Sequence, residues 1–211
     1  MAPIFKQGDI VLFQGDSITD SNRDYFDYDH LGTGYPLLCA SFFNALYPQL
    51  EVTFLNRGIS GNRSKDLLER WEEDCIDLQP DWVSILIGIN DTWRRYDSDD
   101  PTTVQEFEAN YRSILEQVRV RTKAGLILCE PFVLPYPQDR MLWREDIDGK
   151  IQVVRSLAVE YGALYIPFDG LFAQASALQF FTYWAKDGVH PTPAGHGLIA
   201  KHWLKTVGAL P

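Results

Sequence analysis

Five short apolar runs recur along the chain: Ile10–Phe13, Val52–Leu55, Trp82–Ile87, Leu126–Cys129 and Leu164–Ile166. They do not alternate with polar residues, as a strand with one wet face would. Unbroken apolar runs of this length suit strands covered on both faces, the situation of a parallel sheet. Between the runs the apolar residues change to helical spacing. Leu67, Trp71, Cys75 and Leu78 mark one stripe, Val104, Phe107, Tyr111, Ile114 and Val118 a second, and Ile147, Ile151, Val154, Ala158 and Tyr161 a third. A last stripe of Ile199, Trp203 and Val207 follows Thr192, an expected N-cap, and Pro193 at the first helical position. The β-α order, repeated through five strands, predicts a doubly wound α/β sandwich. The 211 residues suit one domain spanning 1–211, with no internal repeat, low-complexity tract or linker. Ser98–Pro101 and Pro131–Asp139 are the longest irregular pieces expected.

Charge narrows the partners. A net charge of −10 and a pI near 4.8 argue against nucleic acid or an anionic membrane, and leave neutral substrates such as sugars open. Met1–Gly8 contains no basic segment leading into an apolar one, so no signal peptide is expected, and no apolar run approaches membrane-spanning length. Cys39, Cys75 and Cys129 are odd in number, widely spaced and without a CxxC pair. They read as buried thiols of a reducing compartment, hence a cytoplasmic protein.

The polar signals fall at strand ends. Gly15-Asp16-Ser17 follows the first run, Asn56-Arg57-Gly58-Ile59-Ser60-Gly61-Asn62 the second, and Gly88-Ile89-Asn90-Asp91 the third, while Asp187 and His190 lie in the loop entering the last helix. Open parallel sheets bind ligands outside the carboxyl ends of their strands, so these four segments are expected at one edge. Their chemistry is that of acyl transfer. A serine hydroxyl becomes nucleophilic when an imidazole takes its proton and a carboxylate orients the imidazole, the roles assigned to Ser17, His190 and Asp187. The negative charge that builds on the carbonyl oxygen needs fixed donors. The backbone N–H groups of Ser17 and Gly61 and the side-chain amide of Asn90 are the candidates. Ser17 is not in the G-x-S-x-G elbow of the α/β-hydrolases, since Thr19 stands where the second glycine would be.

These four blocks, Gly15-Asp16-Ser17, Gly61 within Gly58-Ile59-Ser60-Gly61, Gly88-Ile89-Asn90-Asp91 and Asp187-x-x-His190-Pro191, resemble those of the SGNH (GDSL) hydrolases. The resemblance covers about residue 9 to about residue 207. It implies a three-layer α/β/α sandwich around a five-stranded parallel sheet, with no metal or organic cofactor. Ile18 replaces the usual leucine of the GDSL block, one apolar residue for another. Gly15–Asp20, Leu31-Gly32-Thr33-Gly34-Tyr35, Arg70-Trp71-Glu72-Glu73-Asp74, Pro80-Asp81-Trp82-Val83-Ser84 and Gly88–Arg94 are similar to bacterial intracellular acetylxylan esterases of that superfamily.

Other polar residues have blander readings. Gly58 is expected as a turn glycine, Asp16 and Asp91 as acids holding their own loops, and Asp169 as an N-cap. His196 and His202 are six apart rather than four, which disfavours a zinc pair, and both read as structural. Trp93, Tyr96, Phe132, Tyr136 and Trp184 follow strand ends or precede Asp187, and of these Trp93 and Trp184 are the candidates to meet a sugar ring. The site loops lack a continuous apolar groove, which favours a small acyl group. The expected function is a serine esterase acting on acetylated carbohydrates, xylo-oligosaccharides in particular. A lysophospholipase-like or arylesterase-like lipid hydrolase is the alternative, and a non-catalytic carbohydrate-binding protein a more distant one. The sequence leaves a homo-oligomer open.

Overall fold

The computed structural model describes residues 2–211. Five strands, β1 (Ile10–Gly15), β2 (Thr53–Asn56), β3 (Trp82–Leu86), β4 (Gly125–Cys129) and β5 (Leu164–Ile166), form one sheet in the order β2-β1-β3-β4-β5 with every pairing parallel. The helices are α1 (Ser17–Asp20), α2 (Tyr35–Leu46), α3 (Ser64–Glu69), α4 (Ile89–Asp97), α5 (Val104–Arg121), α6 (Arg144–Glu160), α7 (Phe168–Ser176), α8 (Phe181–Trp184) and α9 (Pro193–Thr206).

The unbroken apolar runs arise as expected, because successive side chains enter two different cores. Val11 and Phe13 of β1 and Ile127 and Cys129 of β4 join Tyr35, Cys39 and Phe43 of α2 and Ile199 and Trp203 of α9. Leu12, Val83, Ile85 and Leu128 point the other way, into Leu67 of α3, Ile114 and Val118 of α5 and Leu157 of α6. Helices therefore cover both faces, giving three layers. The indole N–H of Trp203 donates to Ser84 Oγ at 3.0 Å, so the one polar side chain of β3 is satisfied inside the core.

Local sequence sets the helix ends. Thr192 Oγ1 accepts from Gly195 N at 3.2 Å, with Pro193 at the start of α9, as the sequence predicts. Thr103 and Glu106 form a reciprocal capping box at α5. The stripe of Leu67, Trp71, Cys75 and Leu78 is a broken helix: α3 ends at Glu69 and a π turn runs over Glu72–Ile76. Asp169 is not an N-cap. It lies inside α7, where both its oxygens accept from the Arg144 guanidinium, at 2.6 and 3.0 Å. The longest irregular stretch is also not one of those expected: residues 21–34, between α1 and α2, carry neither helix nor strand. Tyr25, Phe26 and Tyr28 stand among the Ser, Asn, Asp and Gly residues of this stretch and mask its turn-forming composition.

The carboxyl ends of β1, β2 and β3 are held in register, with Phe13 opposite Asn56 and Gly15 opposite Leu86. Three consecutive βα junctions thus open at the same edge. No helix is long and apolar enough to cross a membrane among the described residues.

Candidate active site

β1 ends at Gly15, and the chain turns at once into α1. Asp16 caps that helix, its Oδ1 accepting from Ile18 N at 3.0 Å, so Ser17 is the first helical residue. Its hydroxyl lies 3.0 Å from His190 Nε2, across 173 residues of sequence. His190 Nδ1 lies 2.7 Å from Asp187 Oδ2, and Asp187 Oδ1 accepts from the backbone N–H groups of Val189 (3.0 Å) and His190 (2.7 Å). Burial raises the Asp187 carboxyl, yet the hydrogen bonds from the His190 side chain and backbone outweigh it and hold the acid well below the usual carboxylate range. In return the Asp187 hydrogen bond raises the His190 pKa from its ordinary 6.5, against a smaller effect of burial. With Asp187 ionised, Nδ1 carries the imidazole proton and Nε2 is free to accept from Ser17.

The residues expected to supply oxyanion donors follow the two strands that neighbour β1: Gly61 in the loop after β2 and Asn90 in α4 after β3. Gly61 has φ +84°, in the left-handed region where a side chain is strained, although an added Cβ would meet nothing within 4 Å. The glycine is required by backbone shape, not by packing. Neither Ser17 N–H nor Gly61 N–H donates to an acceptor among the described residues. Asn90, buried in the first turn of α4, donates through Nδ2 to Asn62 O at 3.1 Å, which ties its amide to the Gly61 loop and leaves the second amide hydrogen free. Asp91 anchors that turn across the sheet edge rather than holding its own loop: its carboxylate accepts from Ser64 N (2.9 Å) and Ser64 Oγ (2.6 Å).

Neither of the two expected aromatic residues lines the cleft beside Ser17, but Trp93 packs beside His190. The Trp93 ring centroid is 5.7 Å from that of His190. Trp184 is not among the residues lining the cleft beside Ser17. Its indole N–H donates to Ala175 O (3.1 Å) and Gln179 O (3.2 Å), and its carbonyl accepts from Thr192 N, so it braces the base of the Asp187–His190 loop. The cleft itself, about 300 Å³, is lined by Ser17, Ser21, Asn22, Ser60, His190, Pro191 and His196. A more apolar cavity of about 390 Å³, bordered by Val133, Leu134, Pro135, Met141 and Phe181, includes none of Ser17, Gly61, Asn90 or His190. No group of three or more His, Cys, Asp or Glu side chains is placed to hold a metal ion among the described residues.

Comparison with known proteins accords with this arrangement. The family model described as GDSL-like Lipase/Acylhydrolase matches residues 13–198. The chain belongs to this family. It is 39% identical over 210 residues to the acetylxylan esterase of Geobacillus stearothermophilus, covering 95% of this chain and 94% of that one. A crystal structure of an acetylxylan esterase from the same organism superposes with a TM-score of 0.88 at 36% identity, over 97% of this chain and 96% of the other. A GDSL-like protein from Parabacteroides merdae superposes over the whole of both chains, with a TM-score of 0.93 at 34% identity. Structures of catalytic mutants of the Geobacillus esterase replace a serine, an aspartate and a histidine by alanine, the last two three positions apart. The present chain is an ester hydrolase of the GDSL family.

Around this GDSL-family site the structure adds residues that the sequence did not single out. Asp20, buried, accepts from Ser60 N at 3.1 Å, from Ser60 Oγ and from Tyr25 OH at 2.6 Å, while Arg23 donates to Gly58 O at 3.1 Å. Together they fasten the Gly61 loop to α1. Gly58 is more than a turn glycine here, since a Cβ would strike the Asp20 backbone. The Arg140 guanidinium lies 5.0 Å from the Trp93 ring centroid and 4.0 Å from that of Trp143, and its Nε donates to Asp187 O at 3.3 Å. The roles of Asp20, Arg23 and Arg140 rest on partners distant in sequence, so only their contacts reveal them.

Proposed function

We propose that this esterase removes acetyl groups from carbohydrates, with acetylated xylo-oligosaccharides as its substrate class, and that Ser17, His190 and Asp187 carry the reaction. The unbroken hydrogen-bonded chain from Ser17 Oγ through His190 to Asp187 is the observation on which the chemistry rests. Ser17 Oγ attacks the acetyl carbonyl carbon as its proton passes to His190 Nε2. The oxyanion is met by the N–H groups of Ser17 and Gly61 and by the free amide hydrogen of Asn90. As the tetrahedral species collapses, His190 returns the proton to the departing sugar oxygen and leaves acetyl-Ser17. Water, deprotonated by His190, then attacks that ester and releases acetate.

The substrate class is supported by the 39% identity to an acetylxylan esterase and by the cleft beside Ser17, which is small and lined by hydroxyl, amide and imidazole groups. The apolar cavity bordered by Val133, Leu134 and Phe181 is not lined by Ser17, so an acyl chain longer than acetyl finds no apolar groove at the nucleophile, and each unburied methylene forgoes about 0.8 kcal/mol. Acetyl, butyryl and octanoyl esters of one alcohol should therefore show a steep fall in kcat/KM, about tenfold or more over the first step. Acetylated xylo-oligosaccharide should be deacetylated readily. Equal or rising activity toward the octanoyl ester would replace this reading with a lipid hydrolase.

A further inference from the structure

The cleft beside Ser17 contains a second histidine that this mechanism does not use. His196 lies near the start of α9, and its ring occupies the space that a side chain at position 34 would need: a Cβ on Gly34 would come within 2.8 Å of His196 Cε1 and 2.7 Å of Ser21 Oγ. The backbone N–H of Tyr35, the first residue of α2, donates to His196 Nδ1 at 3.1 Å. A nitrogen that accepts carries no proton, so the neutral ring holds its proton on Nε2. Burial, and then the nearby His190, push the His196 imidazole down to about 4, so the ring is uncharged in neutral solution. The nearest partner of Nε2 is Ser21 Oγ at 3.5 Å, the outer limit of a hydrogen bond. His196 thus presents to the cleft an uncharged donor of fixed tautomer with no acceptor closer than 3.5 Å among the described residues.

The rest of the wall has matching chemistry. Ser21 and Asn22 both hold left-handed backbone, φ 43° and 61°, and both line the cleft with Ser60. Apart from the two imidazoles, none of the seven lining residues is ionisable in the ordinary range: there is no lysine, arginine, aspartate or glutamate. A phosphate or carboxylate would find no fixed counter-charge, whereas a polyol would find donors and acceptors of its own kind.

Resting on the carbohydrate-ester reading above, we propose that this cleft is the subsite for the sugar portion of the ester, and that His196 Nε2–H, with Ser21 and Asn22 beside it, hydrogen-bonds a free hydroxyl of the acetylated sugar. His196 is then a specificity-determining residue, acting on the alcohol half of the substrate and not on the bond that breaks.

Two substitutions separate this role from that of a helix cap. In His196→Asn the amide oxygen falls near the position of Nδ1 and keeps the bond from Tyr35, but the side chain stops short of Nε2. In His196→Gln a donor reaches the Nε2 position again. The readout is the ratio of kcat/KM for acetylated xylobiose to that for p-nitrophenyl acetate, whose leaving group has no sugar hydroxyl, taken on one preparation so that any loss of folded protein cancels. The ratio should fall about five- to tenfold in His196→Asn, through KM, and recover in part in His196→Gln. An unchanged ratio in His196→Asn overturns the proposal and leaves His196 as a cap for α2. Wild-type protein that hydrolyses p-nitrophenyl acetate but not acetylated xylobiose overturns the carbohydrate reading itself, a result visible before any substitution is made.

Discussion

Two carboxylates flank the reacting serine and meet opposite fates. Asp187, in the loop before α9, is half-buried and receives three hydrogen bonds, two from backbone N–H groups and one from His190. Asp16, in the turn after β1, is fully buried, its carboxylate receives one bond from Ile18 N, and its Oδ2 has no partner among the described residues. Burial alone would raise both. In Asp187 the donors prevail and the group stays ionised; in Asp16 burial prevails and pushes the carboxyl up to about 7. Shallower burial and more donors together leave Asp187 able to serve as a fixed negative charge behind an imidazole. Asp16 is a capping residue that happens to be ionisable, and Asp187 is an electrostatic anchor.

That contrast can be broken by experiment. Removing the charge of Asp187 should have the largest effect: Asp187→Asn should lose about 10⁴-fold in kcat, because an amide stabilises the wrong imidazole tautomer. Steady-state kinetics showing near-normal turnover would reassign the acid. Asp16→Asn, which keeps an oxygen to accept from Ile18 N, should lower kcat far less. Next in size is Asn90→Ala, expected to reduce kcat by about 10²–10³-fold with little change in KM, since its free hydrogen acts once the oxyanion forms. A rise in KM at constant kcat would mean that Asn90 binds the ground state as strongly.

Smaller effects concern pH. Asp16 binds its proton more tightly in the folded state than in the unfolded one, where the value is near 3.8, so it costs stability as pH rises from about 4 to about 7. Asp16→Asn cannot ionise, and thermal melting should find it more stable than wild type above pH 7 by up to ~4 kcal/mol, the gap closing toward pH 4. A constant difference across that range would contradict the assignment. For activity, His190 must be neutral to accept the serine proton, and its pKa is raised by Asp187. The acid limb of kcat/KM should therefore have its midpoint above 6.5, and should move to lower pH in the residual activity of Asp187→Asn.

Much of this arrangement is legible in the sequence, for a physical reason. Buried parallel strands must be apolar on both faces, so Ile10–Phe13 and Trp82–Ile87 stand out without any knowledge of their neighbours. Ser17, Gly61, Asn90, Asp187 and His190 stand out because each follows a strand or enters a helix where the fold opens. The remainder depends on contacts between distant segments. Nothing in the sequence near Trp184 says that its indole N–H will be taken by Ala175 O and Gln179 O, or that Trp93 and not Trp184 will lie against His190. Arg140 between two tryptophan rings, Asp91 on Ser64 and the fully buried Lys150, bonded to Asp146 and to Asp91 O, are likewise visible only once the chain is folded. Within residues 21–34 the sequence drew attention only to the end, Leu31–Gly34; the role of its start follows from bordering the cleft at Ser21 and Asn22.

The central claim is that Ser17 carries the acyl group during turnover. Rapid quenching of the reaction with p-nitrophenyl acetate, followed by mass spectrometry of the peptide containing Ser17, tests it directly. The account predicts an acetyl group on Ser17 in the wild-type protein, and in Ser17→Ala no acetylated peptide together with a fall in kcat on the order of 10⁴-fold or more. Substantial turnover by Ser17→Ala, with no acetyl group ever found on Ser17 of the wild type, would contradict it.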